Sequence, residues 1–293
     1  MDLRELNEFP TGIAQYDMPQ SYELVGNSYE FLMDDGLDYT LKFVDRKTVE
    51  WNLANEKPQK ASNFLCVKGD DTTYLVSYEL EGSDLRTNHT WVIDLENWLV
   101  TRVLACVGDN PRYPFLITPK YEFGAIKQDG VDFKVYPRHG YTEDMVGNVV
   151  QWNYGAMETV HVYHCSNYYR ITYPPEKAAS RVFNQTLSKL PSSDEPVAYI
   201  KIKKGMYLFS LTEANAEKII GEDGVFPYRS NTMAFLMNFK RVYLAGRTFG
   251  TLMDVESKKI TPLHLTFGAV GKILQPTEEY ILKLLTDPNP YIV

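Results

Sequence analysis

Alternation of apolar and polar residues, interrupted every few positions by Asp and Gly, is what most restricts how this chain can fold. It is plainest in Val25–Leu53, VGNSYEFLMDDGLDYTLKFVDRKTVEWNL. Strand-forming residues run from Ser28 to Met33, and Asp34-Asp35-Gly36 supplies a tight turn. Tyr39–Phe43 alternates again, and Asp45-Arg46-Lys47 turns into Thr48–Trp51. Successive strand side chains point to opposite faces, so a period of two means one face buried and one wet. Turn residues at such short intervals predict an antiparallel β-meander. The same grammar continues through Ala61–Val67, Thr72–Leu80, Thr90–Asp94 and Trp98–Val107.

Residues 108–146 are rich in Pro and Gly and lack sustained periodicity, which suits a connection or a loop over the mouth of a site. The second half then restates the first. Val25-Gly26-Asn27 recurs as Val146-Gly147-Asn148, Tyr74–Ser77 as Tyr207–Ser210, and Trp91–Leu95 as Phe235–Phe239, at offsets of 121, 133 and 144. The growth in offset is taken up by insertions at Pro174–Pro196 and Ala214–Ser230. Many short, evenly spaced strands in a duplicated module predict an all-β protein of two closed antiparallel units. The expected division is an irregular lead-in over 1–24, a barrel over 25–115, a connection over 116–145, a second barrel over 146–275 and a tail over 276–293. Thr277 is placed to cap a short helix in that tail.

Composition removes several functions. A net charge of −8 without a Lys/Arg run argues against a nucleic-acid partner, which needs a basic surface. Three widely spaced cysteines read as reduced thiols, and the charged N-terminus has no apolar secretory core. No apolar run is long enough to span a membrane. A cytoplasmic protein with a small-molecule partner is expected, with a homo-oligomer left open.

The Val-Gly-Asn start of each half, Arg138-His139 with Thr142, His161-Val162-Tyr163 and Gly246–Gly250 together resemble the MoaF family, named for an association with molybdenum cofactor biosynthesis. That resemblance implies two tandem lipocalin-like (calycin) barrels. Gly26 and Gly36, ten apart, with Tyr39–Trp51 following in register, locally resemble phenolic acid decarboxylases, which need no cofactor. Those enzymes hold a carboxylate with a Tyr-x-Tyr pair and manage protons with Arg and Glu. The corresponding positions here are Phe31, Met33, Asn52 and the neighbourhood of Asp70, so the likeness implies no such reaction in the first barrel. In the second half the paired positions are Trp152 and Tyr154.

His161-Val162-Tyr163-His164-Cys165 invites a metal reading, but strand alternation splits its ligands between two faces and no second ligand cluster exists. No metal and no cofactor are expected. An imidazole beside a phenol in an apolar barrel can move a proton. His161, Tyr163 and Tyr154 are therefore the catalytic candidates, against the plainer reading of a hydrogen-bonded structural His. Arg170 and Arg247 would hold an anion if they point inward, with Trp152, Tyr207 and Glu213 completing a ligand site. The reading is a barrel that binds a small aromatic or carboxylated metabolite and acts on it by cofactor-free acid/base chemistry, of lyase or isomerase type. The alternative is a non-catalytic binding accessory of a biosynthetic pathway. Under either, the first barrel, having lost the polar pair, can be structural, and whether it binds anything stays open.

Overall fold

A computed structural model describes residues 15–108, 117–133, 137–155, 157–174, 181–182, 185–186, 192–214, 228–253 and 260–286. The Val25–Leu53 meander forms β1 (Ser28–Met33), β2 (Tyr39–Phe43) and β3 (Thr48–Leu53), followed by β4 (Gln59–Ser62), β5 (Leu65–Lys68), β6 (Thr73–Glu79), β7 (Thr87–Asp94), β8 (Leu99–Cys106) and β9 (Lys120–Ile126). They make one curled antiparallel sheet in the order β4-β3-β2-β1-β9-β8-β7-β6-β5. Its edge strands are neighbours in sequence, separated by Asn63 and Phe64, with Asn63 at φ 56°. Phe31, Leu41, Phe43, Val49, Val76 and Trp91 fill its concave side.

The second unit contains β10 (Gly140–Tyr141), β11 (Val149–Asn153), β12 (Glu158–Val162), β13 (Tyr168–Thr172), a small hairpin β14 (Arg181–Val182) and β15 (Gln185–Thr186), then β16 (Ser193–Lys203), β17 (Met206–Thr212), β18 (Tyr228–Asn238), β19 (Tyr243–Met253) and β20 (Ile260–Leu274). Here the sheet closes. β16 pairs with β13 through Ser193–Pro196 and with β17 through Val197–Lys203, giving an eight-stranded antiparallel barrel. The same task falls to two strands, β4 and β5, in the first unit. The chain is thus two tandem antiparallel barrels, as the sequence predicts.

The duplication is visible in backbone detail. Gly26 and Gly147 take φ of 88° and 90° and donate to Phe43 O and Tyr163 O at 2.8 and 2.7 Å. Asn27 and Asn148 each turn a side-chain amide back onto the loop, reaching Leu24 O at 3.3 Å and Met145 O at 2.9 Å. Asp94 and Asn238 likewise cap equivalent turns, accepting from the backbone N–H groups two and three residues on.

The first sheet extends past residue 115. β9 lies in the stretch expected as connection, because KYEFGAI is a short strand between Pro- and Gly-rich segments and carries little signal of its own. The connection also tethers itself: His139 is buried with Nδ1 2.8 Å from Thr101 Oγ1. Helix α1 (Glu278–Thr286) receives its Thr277 cap at 3.2 Å and packs Leu284 on Val149, Val160 and Val162, outside the second barrel.

The barrels meet side to side. Leu65, Val67, Leu75, Val92 and Val103 of the first pack against Ile200, Ile202, Leu208, Ala234, Leu236 and Ala245 of the second. Lys203 crosses the seam to Asp70 at 2.9 Å and Glu96 at 2.6 Å. Gly26 and Gly147 have open space where a Cβ would sit, so alanine there carries only the penalty of left-handed backbone. G26A and G147A should each cost about 1–2 kcal/mol in urea unfolding, and by similar amounts.

Candidate functional site

In the second barrel, strand parity decides which side chains reach the interior. Trp152 and Tyr154 on or just after β11 share a face with the core residue Val150. Val150 pairs with His161, so His161 enters the lumen, and Tyr163 follows two residues on. Leu211 lines the core on β17, and Glu213 lies two residues beyond it, opposite Asn231. Tyr169 and Glu195 are paired neighbours of that same parity, and Tyr173 packs on the core. The candidates His161, Tyr163, Tyr154, Trp152 and Glu213 are therefore brought to one interior, together with Tyr169, Tyr173, Glu195 and Asn231, which sequence reasoning missed. Glu195 and Asn231 escaped because they sit in or beside the segments read as insertions.

Deep in the lumen three groups form a relay. Trp152 Nε1–H donates to Tyr163 Oη at 3.0 Å. Tyr163 Oη lies 3.5 Å from His161 Nδ1. With its oxygen already accepting from the indole, the phenol turns its own hydrogen toward Nδ1, which leaves the imidazole proton on Nε2. His161 Nε2 is buried without a protein partner. The ring packs on Tyr169 and Phe209, with centroids 4.8 and 5.9 Å away. Burial alone pushes the imidazole down to about 3. His161 is thus a neutral N–H donor at ordinary pH, and the proton-shuttle role expected from sequence does not suit it. Tyr163 is held protonated, well above the usual phenol range, by burial.

At Glu213 the chemistry of the lumen changes. Burial, reinforced by the Glu195 carboxylate, lifts Glu213 to about 8. Asn231 Nδ2 donates to Glu213 Oε2, so the carboxyl proton falls to Oε1. Tyr154 is raised chiefly by burial, as are Tyr169 and Tyr173, and the nearby Glu213 charge adds to all three. A carboxylic acid that carries its proton near neutrality is the group here with a pKa suited to general acid/base work.

Three candidates lie elsewhere. Arg170 pairs across the sheet with Val162, which faces outward beneath α1, and its guanidinium binds Asp194 Oδ2 at 2.8 Å. Arg247 pairs with Ala234 in the seam between the barrels, where it donates to Ser77 O at 3.1 Å and lies 3.3 Å from His264 Nε2. Neither arginine reaches the lumen, so the anion-holding role expected of them is corrected. Both faces of β19 are buried, one by lumen and one by seam, which hides its orientation from the sequence. Tyr207 stands at the opposite end of β17 from Glu213, its hydroxyl donating to Asp144 Oδ2 at 3.2 Å, and it closes the barrel floor. Among the described residues no group of three His, Cys, Asp or Glu is placed to hold a metal ion, and no helix is long and apolar enough to cross a membrane.

A buried neutral histidine binds a proton more readily in the unfolded chain than in the native one. Between its ordinary 6.5 and about 3, His161 therefore makes stability fall as pH falls. His161→Phe should flatten the pH dependence of unfolding free energy over that window by up to ~1.4 kcal/mol per pH unit, measured by denaturant titration.

Residues 2–109 match the MoaF N-terminal domain. That span contains β1 to β8 of the first barrel. A comparison with curated proteins returns no match, and the family match does not extend to phenolic acid decarboxylases. Through its first barrel, the chain is similar to the MoaF family.

Proposed function

We propose that the second barrel binds a small aromatic metabolite through an acceptor oxygen and acts on it by proton transfer at Glu213, without a cofactor. The observation that carries this reading is the unpartnered His161 Nε2–H, a neutral donor fixed by the Trp152–Tyr163 relay inside an aromatic lumen. A buried donor left unpaired costs roughly 1–3 kcal/mol, which a ligand oxygen recovers. Glu213 supplies the titrating group of the same lumen. With Arg170 and Arg247 turned away, neither of these cations holds a carboxylate in this lumen, and a neutral carbonyl or phenol fits the His161 donor better than an acid. Proton removal beside a carbonyl, the step shared by many isomerases and lyases, matches an acceptor-binding donor paired with a carboxyl base. The three free cysteines fit a reducing, cytoplasmic setting.

4-Hydroxyacetophenone tests the reading, because its methyl hydrogens exchange in D₂O when the carbonyl is polarised and a base is at hand. Calorimetry should give binding that His161→Phe weakens about tenfold, the loss of one hydrogen bond. Exchange followed by proton NMR should rise with pH through about 8 and disappear in Glu213→Gln. Binding without any exchange would favour the accessory binder, and an unaltered affinity in His161→Phe would remove the site.

A further inference from the structure

The first barrel lacks the polar pair of the decarboxylases, yet its lumen holds a second donor relay. Trp91 Nε1–H donates to Tyr78 Oη at 3.0 Å, and Tyr78 Oη lies 3.4 Å from His89 Nδ1. By the same accounting as in the second barrel, the His89 proton rests on Nε2. The relay is not a copy of the other. Through the paired registers Tyr78, His89 and Trp91 correspond to Leu211, Met233 and Phe235, while Trp152, His161 and Tyr163 correspond to Phe31, Leu41 and Phe43. Each lumen has the arrangement on different strands.

Two further features have no counterpart in the second barrel. Trp51, on the lumen face of β3, is 7% exposed, and its Nε1 is buried without a partner. Its ring lies edge-on to His89 at 5.0 Å. Arg102 pairs across the sheet with Trp91 and Glu122, so it also enters the lumen, where the second barrel has Gly246 and Phe267. Its guanidinium lies 4.3 Å over the Tyr39 ring and 5.5 Å from that of Trp91. Nε and Nη2 bind Glu122 Oε2. The Glu122 side chain is 20% exposed and the Arg102 side chain 4%, so the carboxylate marks the wet end and the cation lies deeper. Burial and then the Arg102 charge hold His89 far below its usual range, and that positive field reaches Tyr78 too.

We propose that the first barrel is a second ligand site, one that takes the carboxylate of a small aromatic acid on Trp51 Nε1–H and His89 Nε2–H within the field of Arg102. The ring of such an acid would lie against Tyr39, Trp51 and Trp91. This site is independent of the one in the second barrel and takes a charged ligand, an anion, where the other takes a neutral carbonyl.

Benzoate is the probe, with benzylamine as the charge-reversed control. In the full-length protein labelled with ¹⁵N at the tryptophan indoles, benzoate should move the Trp51 Nε1–H signal, assigned by its loss in Trp51→Phe. Trp51→Phe keeps the ring and deletes an unpaired donor, so its melting temperature should not fall, while benzoate affinity drops about tenfold. Glu122→Gln frees Arg102 from its competing carboxylate and should tighten benzoate several-fold. His161→Phe, in the other barrel, should leave benzoate binding unchanged. Any of three results would overturn the proposal: four unmoved indole signals, benzylamine binding as well as benzoate, or a benzoate affinity lost in His161→Phe but kept in Trp51→Phe.

Discussion

Backbone pairing along β16 is what the second barrel depends on. Its first residues complete the edge of β13 and its later ones the edge of β17, so one strand satisfies two open edges in succession and no exposed ladder remains. Closure is also what dries the interior. His161 and Glu213 owe their shifted protonation chiefly to burial, and that burial exists only because the ring of strands is complete. In the first unit β4 and β5 meet the same demand as two short strands with Asn63 and Phe64 between them. A sheet joined in that way still encloses a core, but its geometry differs where the strand is interrupted.

The two lumens show how a duplicated scaffold diverges while its frame stays fixed. The glycine-asparagine turns and the Asp94 and Asn238 caps are retained because they satisfy backbone groups, which every copy of the fold must do. Interior side chains carry no such obligation. Arg102 and Glu122 face each other in one barrel, and Gly246 and Phe267 occupy those positions in the other. At Gly246 a Cβ would fall 1.9 Å from Ala234 O, so the neighbouring backbone itself excludes any side chain. The consequence is a pair of lumens of different character: a neutral donor with a carboxylic acid in the second, and a set of donors around a cation in the first.

The seam between the barrels recruits residues that look functional in isolation. Arg247 and His264 belong to a buried polar group with Ser77 and Asn88, surrounded by the aliphatic packing of both units. Burial lowers Arg247 to about 10, while its guanidinium ties the second barrel to the first through a hydrogen bond to Ser77 O. Such a group specifies orientation, which apolar packing by itself leaves loose.

Alternation along β1 to β3 told the meander, its turns and the register of the repeat, because one face of those strands meets solvent and the period of two is legible. The same signal put His161 and Tyr163 on one face, since Val160 and Val162 mark the other face plainly. It could not orient Arg102, Arg247 or Arg170. Strands β8 and β19 are buried on both faces, by lumen and by seam, and Asp194 on a neighbouring strand covers Arg170 from outside. Once both faces are dry, polarity no longer distinguishes in from out, and only the packing of one barrel against the other decides which way a charged side chain turns.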